Sequence, residues 1–261
     1  MTVGLLFPGE MGAAVGAAAR ADVLWAGEGR SQRTRRRAVE AGLEDVGSVD
    51  ALVARADVVL SISPPAIAEE VAAEVARLGF RGLYVEANPV TPTRVARIGE
   101  MLAATGARIV DASIISPGAI HLYLAGAAED VASVAALFAD TDVDAIALEG
   151  GIGAASALKM AFGGWNKIGI ALTAQAHAVA RAYGAEAALA AEGVDARRIV
   201  SAAPKAWRWA PEMDEIALTC AELGLPDGIA RGAAELYRRW EKHRDAEAEL
   251  TELLDDLLEE G

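Results

Sequence analysis

The sequence predicts an α/β N-terminal domain, a doubly wound parallel sheet, followed by an all-α C-terminal domain. Three observations carry this. Short apolar strands alternate with helical segments from residue 2 to about residue 148, the pattern of βαβ units. A Gly9-x-x-Gly12 turn joins the first strand to a helix of small residues. After Gly153 only helical periodicity remains.

The elements follow in order. Residues 2–7 read as a buried strand stopped by Pro8-Gly9, and residues 10–20 as a helix small enough to lie close on a sheet. Residues 22–26 form a second short strand and residues 31–42 an arginine-rich helix. Residues 57–63 are a continuous apolar strand ended by Pro64-Pro65, as in a sheet covered on both faces. A helix near 66–78, a strand at 82–86, a helix near 91–105 and a strand at 107–112 extend the alternation. Strands at 121–125 and 143–148 flank one more helix. One long helix then spans 153–183, and further helices fit 186–192, 195–203, 212–223, 227–243 and 245–259. The domain boundary falls at residue 150, giving domains of 1–150 and 151–261. The acidic end keeps Leu250, Leu253, Leu254, Leu257 and Leu258 at helical spacing, so it reads as a packed amphipathic helix.

Composition excludes several classes. Hydrophobic residues make up 53% of the 261, enough for a sizeable core, while 5% aromatics favours closely packed helices over a β-sandwich. The net charge of −14 argues against nucleic acid or an anionic membrane surface as partner. No uninterrupted apolar run reaches the length of a membrane span. Cys220 is the only cysteine, which rules out an intrachain disulfide, and it reads as a buried, inert thiol. No basic leader precedes the short apolar start. The expectation is a cytoplasmic chain.

The turn at residues 9–12 has the shape of a dinucleotide-binding fingerprint. Glycine lets the backbone approach a pyrophosphate, and free N–H groups at a helix start bind it. Gly9, Glu10, Met11 and Gly12 are therefore candidate cofactor residues in a Rossmann-like domain. In the pattern G-x-G-x-x-G the first glycine falls at Phe7, so only two of the three are present. After the second strand an acidic residue would hold the ribose 2′-hydroxyl of NAD. Here Gly27-Glu28-Gly29-Arg30-Ser31 follows. Arg30 can pair with a 2′-phosphate and Ser31 can donate to it, favouring NADP over NAD. Arg33, Arg35, Arg36 and Arg37 add local positive charge or form a solvated helix face. Ser63 and Pro64 end the third strand and Asn88 follows the fourth, where ligands bind in open parallel sheets. Asn88 fits two roles: orienting nicotinamide or substrate, or capping the helix that starts near Thr91.

Lys159 lies in an apolar helix opened by a glycine-rich turn, a costly place for a charge without a function. On a helix of about 100° per residue, Asn166 lies about 20° from it and Lys167 about 80°. His177 is in phase but roughly 27 Å along the axis, and reads as a core histidine. A lysine at the seam suits carbonyl reduction, which leaves an alkoxide that needs a proton, and the reverse oxidation, which needs a base. Trp165, Trp207, Trp209 and Trp240 read as core or interface residues. No pattern in the C-terminal half resembles a dedicated phosphate clamp, for which Arg197, Arg198, Lys205 and Arg208 are no more than candidates.

These residues resemble a family. Phe7-Pro8-Gly9-Glu10-Met11-Gly12, Ser63-Pro64-Pro65, Glu86-Ala87-Asn88, Asp111-Ala112-Ser113 and the glycine-rich approach to Lys159 stand in the order found in β-hydroxyacid and 6-phosphogluconate dehydrogenases. The resemblance covers roughly residues 1–180. The remainder resembles the helical C-terminal domain of a poorly characterised branch. The resemblance implies NAD(P)-dependent oxidation or reduction of a hydroxy acid or related carbonyl, with Lys159 as acid/base. It also implies a homodimer whose helical domains build part of the partner's site. Two positions depart from the pattern. The family's asparagine four residues after the lysine is Gly163, with Asn166 as a candidate replacement. Its Ser-Gly-Gly turn is replaced by Ile114-Ile115-Ser116-Pro117-Gly118, with Ser116 as the candidate substitute.

The leading expectation is an NADP-dependent oxidoreductase acting on a small hydroxy- or oxo-acid. Imine reduction on the same fold is the second enzyme reading. The missing glycine at Phe7 and the changes at 116 and 163 support a third, a nucleotide-binding sensor or scaffold without turnover.

Overall fold

The computed structural model describes residues 1–116 and 118–259. Pro117, Glu260 and Gly261 lie outside the described residues. The chain forms two compact units, Met1–Lys159 and Met160–Gly261.

The first unit is a mostly parallel eight-stranded sheet with interleaved helices. Its elements are β1 (Thr2–Leu6), α1 (Glu10–Ala18), β2 (Asp22–Trp25), α2 (Gln32–Glu40), β3 (Glu44–Asp45), α3 (Val49–Arg55), β4 (Val58–Ser61), α4 (Ala68–Arg77) and β5 (Leu83–Glu86). α5 (Pro92–Ala103), β6 (Arg108–Ile115), β7 (Ile120–Gly126), α6 (Ala128–Ala136) and β8 (Val143–Ala147) complete it. The strand order is β3-β2-β1-β4-β5-β6-β7-β8. Only the β6–β7 pair is antiparallel among the described pairings. The first six strands therefore have the doubly wound order, with its switch point between β1 and β4.

Side chains alternate across this sheet. Val3, Leu5, Val58, Leu60, Leu83 and Val85 pack into one core. Leu6, Val59 and Tyr84 pack into the other. Burial on both faces explains why β4 reads as an unbroken apolar run.

Two elements were not expected. β3 has only two residues, both exposed, and α3 is a seven-residue helix capped by Ser48, whose side chain accepts from the Ala51 N–H. Neither gives a long apolar period. A further difference lies in β6. Ile114 and Ile115, expected in the turn after the strand, are its last two residues, paired with Leu122 and His121 of β7. The turn begins at Ser116, which is exposed.

The second unit is helical. α7 (Ala154–Ala182) runs into it, followed by α8 (Glu186–Ala191), α9 (Arg197–Ala202), α10 (Ala206–Glu222), α11 (Gly228–Arg239) and α12 (Leu250–Leu258). α10 starts six residues before the expected 212, with Pro211 inside it. Proline in the second turn removes one intrahelical bond and stops propagation signals in the sequence without ending the helix. Its core gathers Met213, Ile216, Tyr237, Trp240 and Leu253. Trp240 is fully buried and donates to the Leu253 carbonyl at 2.9 Å. His177 is buried against the Val194 carbonyl at 3.1 Å. Trp209 meets Tyr237 edge-on, whereas Trp165 is 75% exposed. Cys220, expected to be buried, is half-buried. Among the described residues no helix is long and apolar enough to cross a membrane.

Candidate functional site

The carboxyl ends of the central strands form one row. Leu6 is aligned with Ser61, Ser61 with Glu86, and Glu86 with Asp111. The segments that follow these strands therefore leave the sheet at one edge, the edge where open parallel sheets bind ligands.

At the head of this edge, Gly9 is the N-cap of α1 and no side chain caps that helix. Its first N–H groups are suited to an anion. Gly12 is required by close approach: a Cβ there would lie 2.6 Å from the Phe7 carbonyl oxygen. Phe7 itself has φ +65°. The position of the missing glycine keeps the left-handed conformation that glycine favours. The Gly9 N–H donates to the Phe7 carbonyl at 2.7 Å, closing the turn. Glu10 is the first residue of α1, and Met11 packs on the core of the α1 face.

After β2, Arg30 lies with its guanidinium carbon 3.8 Å from the centre of the Phe7 ring. Partial burial pushes its pKa down from the usual arginine value, and Glu74 opposes this. Ser31 is the N-cap of α2, accepting from the Thr34 N–H at 3.2 Å. Arg35 is engaged elsewhere, on the Gly27 carbonyl and on Asp45 at 3.2 Å. Asp45 also accepts from the Gly27 and Gly47 N–H groups, both at 2.9 Å.

Asn88 binds the ends of β4 and β5 together. Its side-chain oxygen accepts from the Ser63 N–H, its amide donates to Ser61 Oγ at 3.1 Å, and its N–H donates to Glu86 Oε1 at 3.0 Å. The cap of α5, its other expected role, falls to Thr91, which accepts from the Arg94 N–H. Ser63 is buried and Pro64, which precedes a short 3-10 turn, is exposed. Glu86 is wholly buried, and among the described residues its second oxygen has no hydrogen-bond partner. Burial raises its pKa to about 8, against the Asn88 hydrogen bonds and with repulsion from Asp111. The Tyr84 hydroxyl is likewise pushed up, by burial first and then by Glu86.

Asp111 fixes the start of α7. One carboxylate oxygen accepts from the N–H groups of Gly153 at 2.9 Å, Ala155 at 2.9 Å and Ser156 at 3.1 Å. The other accepts from Ser156 Oγ at 2.7 Å. An acid from the sheet thus satisfies the orphan donors of a helix more than 40 residues away. Burial raises the Asp111 pKa, and these four bonds oppose the rise. One turn further, Lys159 Nζ donates to the Ile114 carbonyl at 2.7 Å. β6 outruns β5, whose pairing ends at Asp111, and this extension carries Ile114 to the lysine. The Ile114 carbonyl as partner of Lys159, and Asp111 with Ser156 at the start of its helix, were not identified from sequence. An acid inside an apolar strand and a serine in the first turn of α7 were the available signals.

The remaining candidates lie in the second unit. Asn166 accepts from Arg198, and Lys167 pairs with Glu212 of α10. Asn166 and Lys167 are thus engaged with α9 and α10. Gly163, where the family has asparagine, faces Glu212: a Cβ there would come 2.8 Å from Glu212 Oε1. That oxygen is buried and has no hydrogen-bond partner among the described residues. Arg197 pairs with Asp195 at 2.5 Å on the surface.

Residues 174–240 match the model of DUF1932, a domain of unknown function. No curated protein matches the chain. Among solved structures, the conserved protein MTH1747, described as of unknown function and structurally similar to 3-hydroxyacid dehydrogenases, is 25% identical. The match covers 92% of this chain and 99% of that one, with a TM-score of 0.67. The 3-hydroxyisobutyrate dehydrogenase of Mycobacterium tuberculosis, solved with L-serine, is 16% identical over 98% of each chain, with a TM-score of 0.74. An imine reductase variant from Myxococcus stipitatus, solved with NAD+, is 17% identical over 98% of this chain and 99% of that one, with a TM-score of 0.56. Members of this superfamily bind NAD(P). In fold, the chain is therefore similar to MTH1747, a protein of unknown function, and to 3-hydroxyacid dehydrogenases, and its own residues 174–240 match DUF1932.

Proposed function

We propose that the protein is an NADP-dependent oxidoreductase that interconverts a small hydroxy acid and its oxo acid, with Lys159 as general acid and base. The observation that carries this reading is the anchoring of Lys159. Asp111 pins the first turn of α7 to the sheet, and the Ile114 carbonyl holds the ammonium at 2.7 Å.

The residues at the strand edge fit a dinucleotide. The uncapped start of α1 and the turn that Gly12 lets close against the Phe7 carbonyl suit a pyrophosphate. Gly9, Glu10 and Met11 complete that turn, Arg30 and Ser31 take the 2′-phosphate, and Ser63, Pro64 and Asn88 border the nicotinamide. NADP, when bound, supplies or accepts the hydride. In reduction, Lys159 gives a proton to the carbonyl oxygen as its carbon takes the hydride. In oxidation, Lys159 takes the hydroxyl proton. The Lys159 charge also attracts the substrate carboxylate, and Ser116 donates to the substrate.

Scanning NADPH consumption against hydroxy acids, oxo acids, aldehydes and imines tests the reaction. Lys159→Met should lower turnover about 1,000-fold, within the range of a general acid–base group, and leave NADPH affinity within about three-fold. Equal turnover in the variant would remove Lys159 from the mechanism. The shared fold makes imine reduction the second reading, but an iminium carbon needs no proton from Lys159. NADPH binding without turnover on any substrate would replace both with a nucleotide sensor.

We also propose a homodimer in the cytoplasm. Trp165, Leu172 and Val179 recur every seven residues on α7 and are 75%, 66% and 56% exposed, with Tyr183 at 85% beyond them. A second copy covers this stripe, and a sedimentation mass of one chain would refute it.

A further inference from the structure

We propose that Phe7 is a selectivity residue of the nucleotide turn, seating the Arg30 guanidinium for the 2′-phosphate of NADP. The proposal rests on the reading of that turn as the NADP site. Phe7 has φ +65°, a conformation strained for any side chain with a Cβ and relaxed for glycine. A phenylalanine held there needs a compensating role, and the ring has one. Its face lies 3.8 Å from the Arg30 guanidinium carbon. Its backbone cannot drift, because the Phe7 carbonyl takes the Gly9 N–H and sits against Gly12.

Arg30 is otherwise uncommitted. Among the described residues its side chain makes no hydrogen bond or ion pair, whereas Arg35 on the next helix is bound to Asp45 and the Gly27 carbonyl. Partial burial already disfavours this unpaired charge, which a nearby anion relieves. A guanidinium stacked on a ring keeps its in-plane N–H groups for an oxyanion, and phosphate matches that fork. Phe7 thus links the two ends of the nucleotide site: its backbone shapes the pyrophosphate turn and its ring holds the cation that reads the ribose.

The test is titration of the full chain with NADPH and with NADH, followed by nucleotide fluorescence. Phe7→Gly should lower the NADPH preference about five-fold, equivalent to about 1 kcal/mol, while NADH affinity holds or improves. Phe7→Tyr should keep the preference. The ring also packs on the core, so the NADPH-to-NADH ratio, which a uniform loss of stability leaves unchanged, is the readout, and Phe7→Leu, which keeps apolar packing without a ring face, should lower the ratio as Phe7→Gly does. In an Arg30→Ala background, Phe7→Gly should have no further effect on the ratio. A Phe7→Gly chain with the wild-type ratio, beside an Arg30→Ala chain that has lost it, overturns the role of Phe7 alone. An unchanged ratio in Arg30→Ala overturns the NADP reading and this proposal with it.

Discussion

Replacing Asp111 by alanine should loosen the first turn of α7. The wild-type carboxylate accepts three backbone N–H groups and one hydroxyl. Loss of a helix cap alone costs roughly 0.5–2 kcal/mol. Here the donors are also buried, and each one left unpaired costs about 1–3 kcal/mol. The bonds are not independent, and removing Asp111 also ends the desolvation that raises its pKa. A total of about 3–4 kcal/mol follows, a large fraction of the stability of a typical domain. Asp111→Asn keeps one oxygen for the three N–H groups and loses the charge, so about 1–2 kcal/mol is expected. Amide hydrogen exchange reads the effect where it occurs. Protection at Ala155 and Ser156 should fall about 100-fold or more in the alanine variant and about ten-fold in the asparagine variant, while β1 and β4 keep theirs. Because the same turn presents Lys159, turnover should fall with protection. Unchanged exchange at these amides in Asp111→Ala would refute the claim that Asp111 holds the helix.

Two further predictions concern the same sheet edge. Glu86 has its pKa raised to about 8 from 4.5, so its protonated form is favoured in the fold. Its contribution to stability is therefore greatest below pH 4.5 and is lost as pH rises through about 8. At about 1.4 kcal/mol per pH unit, the loss reaches up to about 5 kcal/mol. Glu86→Gln should flatten this slope in urea unfolding between pH 5 and 8.5 and be the more stable protein at pH 8.5; parallel slopes would show that Glu86 is charged throughout. Gly12→Ala puts a Cβ 2.6 Å from the Phe7 carbonyl oxygen, a backbone atom. It should weaken NADPH binding more than ten-fold and lower the melting temperature, and wild-type affinity would mean the turn does not hold the nucleotide.

Local pattern made much of this legible. The apolar runs of β1 and β4, the Gly9-x-x-Gly12 turn and the switch to helix after Gly153 are properties of short stretches. They placed the sheet, the glycine turn at its strand edge and the helix that carries Lys159. What stayed hidden depends on distant partners or on elements too short for a period. β3 exposes both its residues. Ser116-Pro117-Gly118 masked the strand character of Ile114 and Ile115, which β7 supplies by pairing. Asp111 reads as a lone acid in a strand until a helix start 42 to 45 residues later is brought to it. The φ of Phe7 is set by the turn and by α1 packing on its carbonyl, and nothing in the residue type announces it.

Gly163 and Glu212 share one space in the helical unit. A Cβ at 163 would meet Glu212 Oε1, the end of a flexible side chain whose other oxygen pairs with Lys167, so the carboxylate must shift to admit it, whereas a shorter residue at 212 would strip the lysine of its partner directly. A library that varies 163 alone, set beside a two-site library over 163 and 212, measures how far the Glu212 carboxylate gives way to a new side chain.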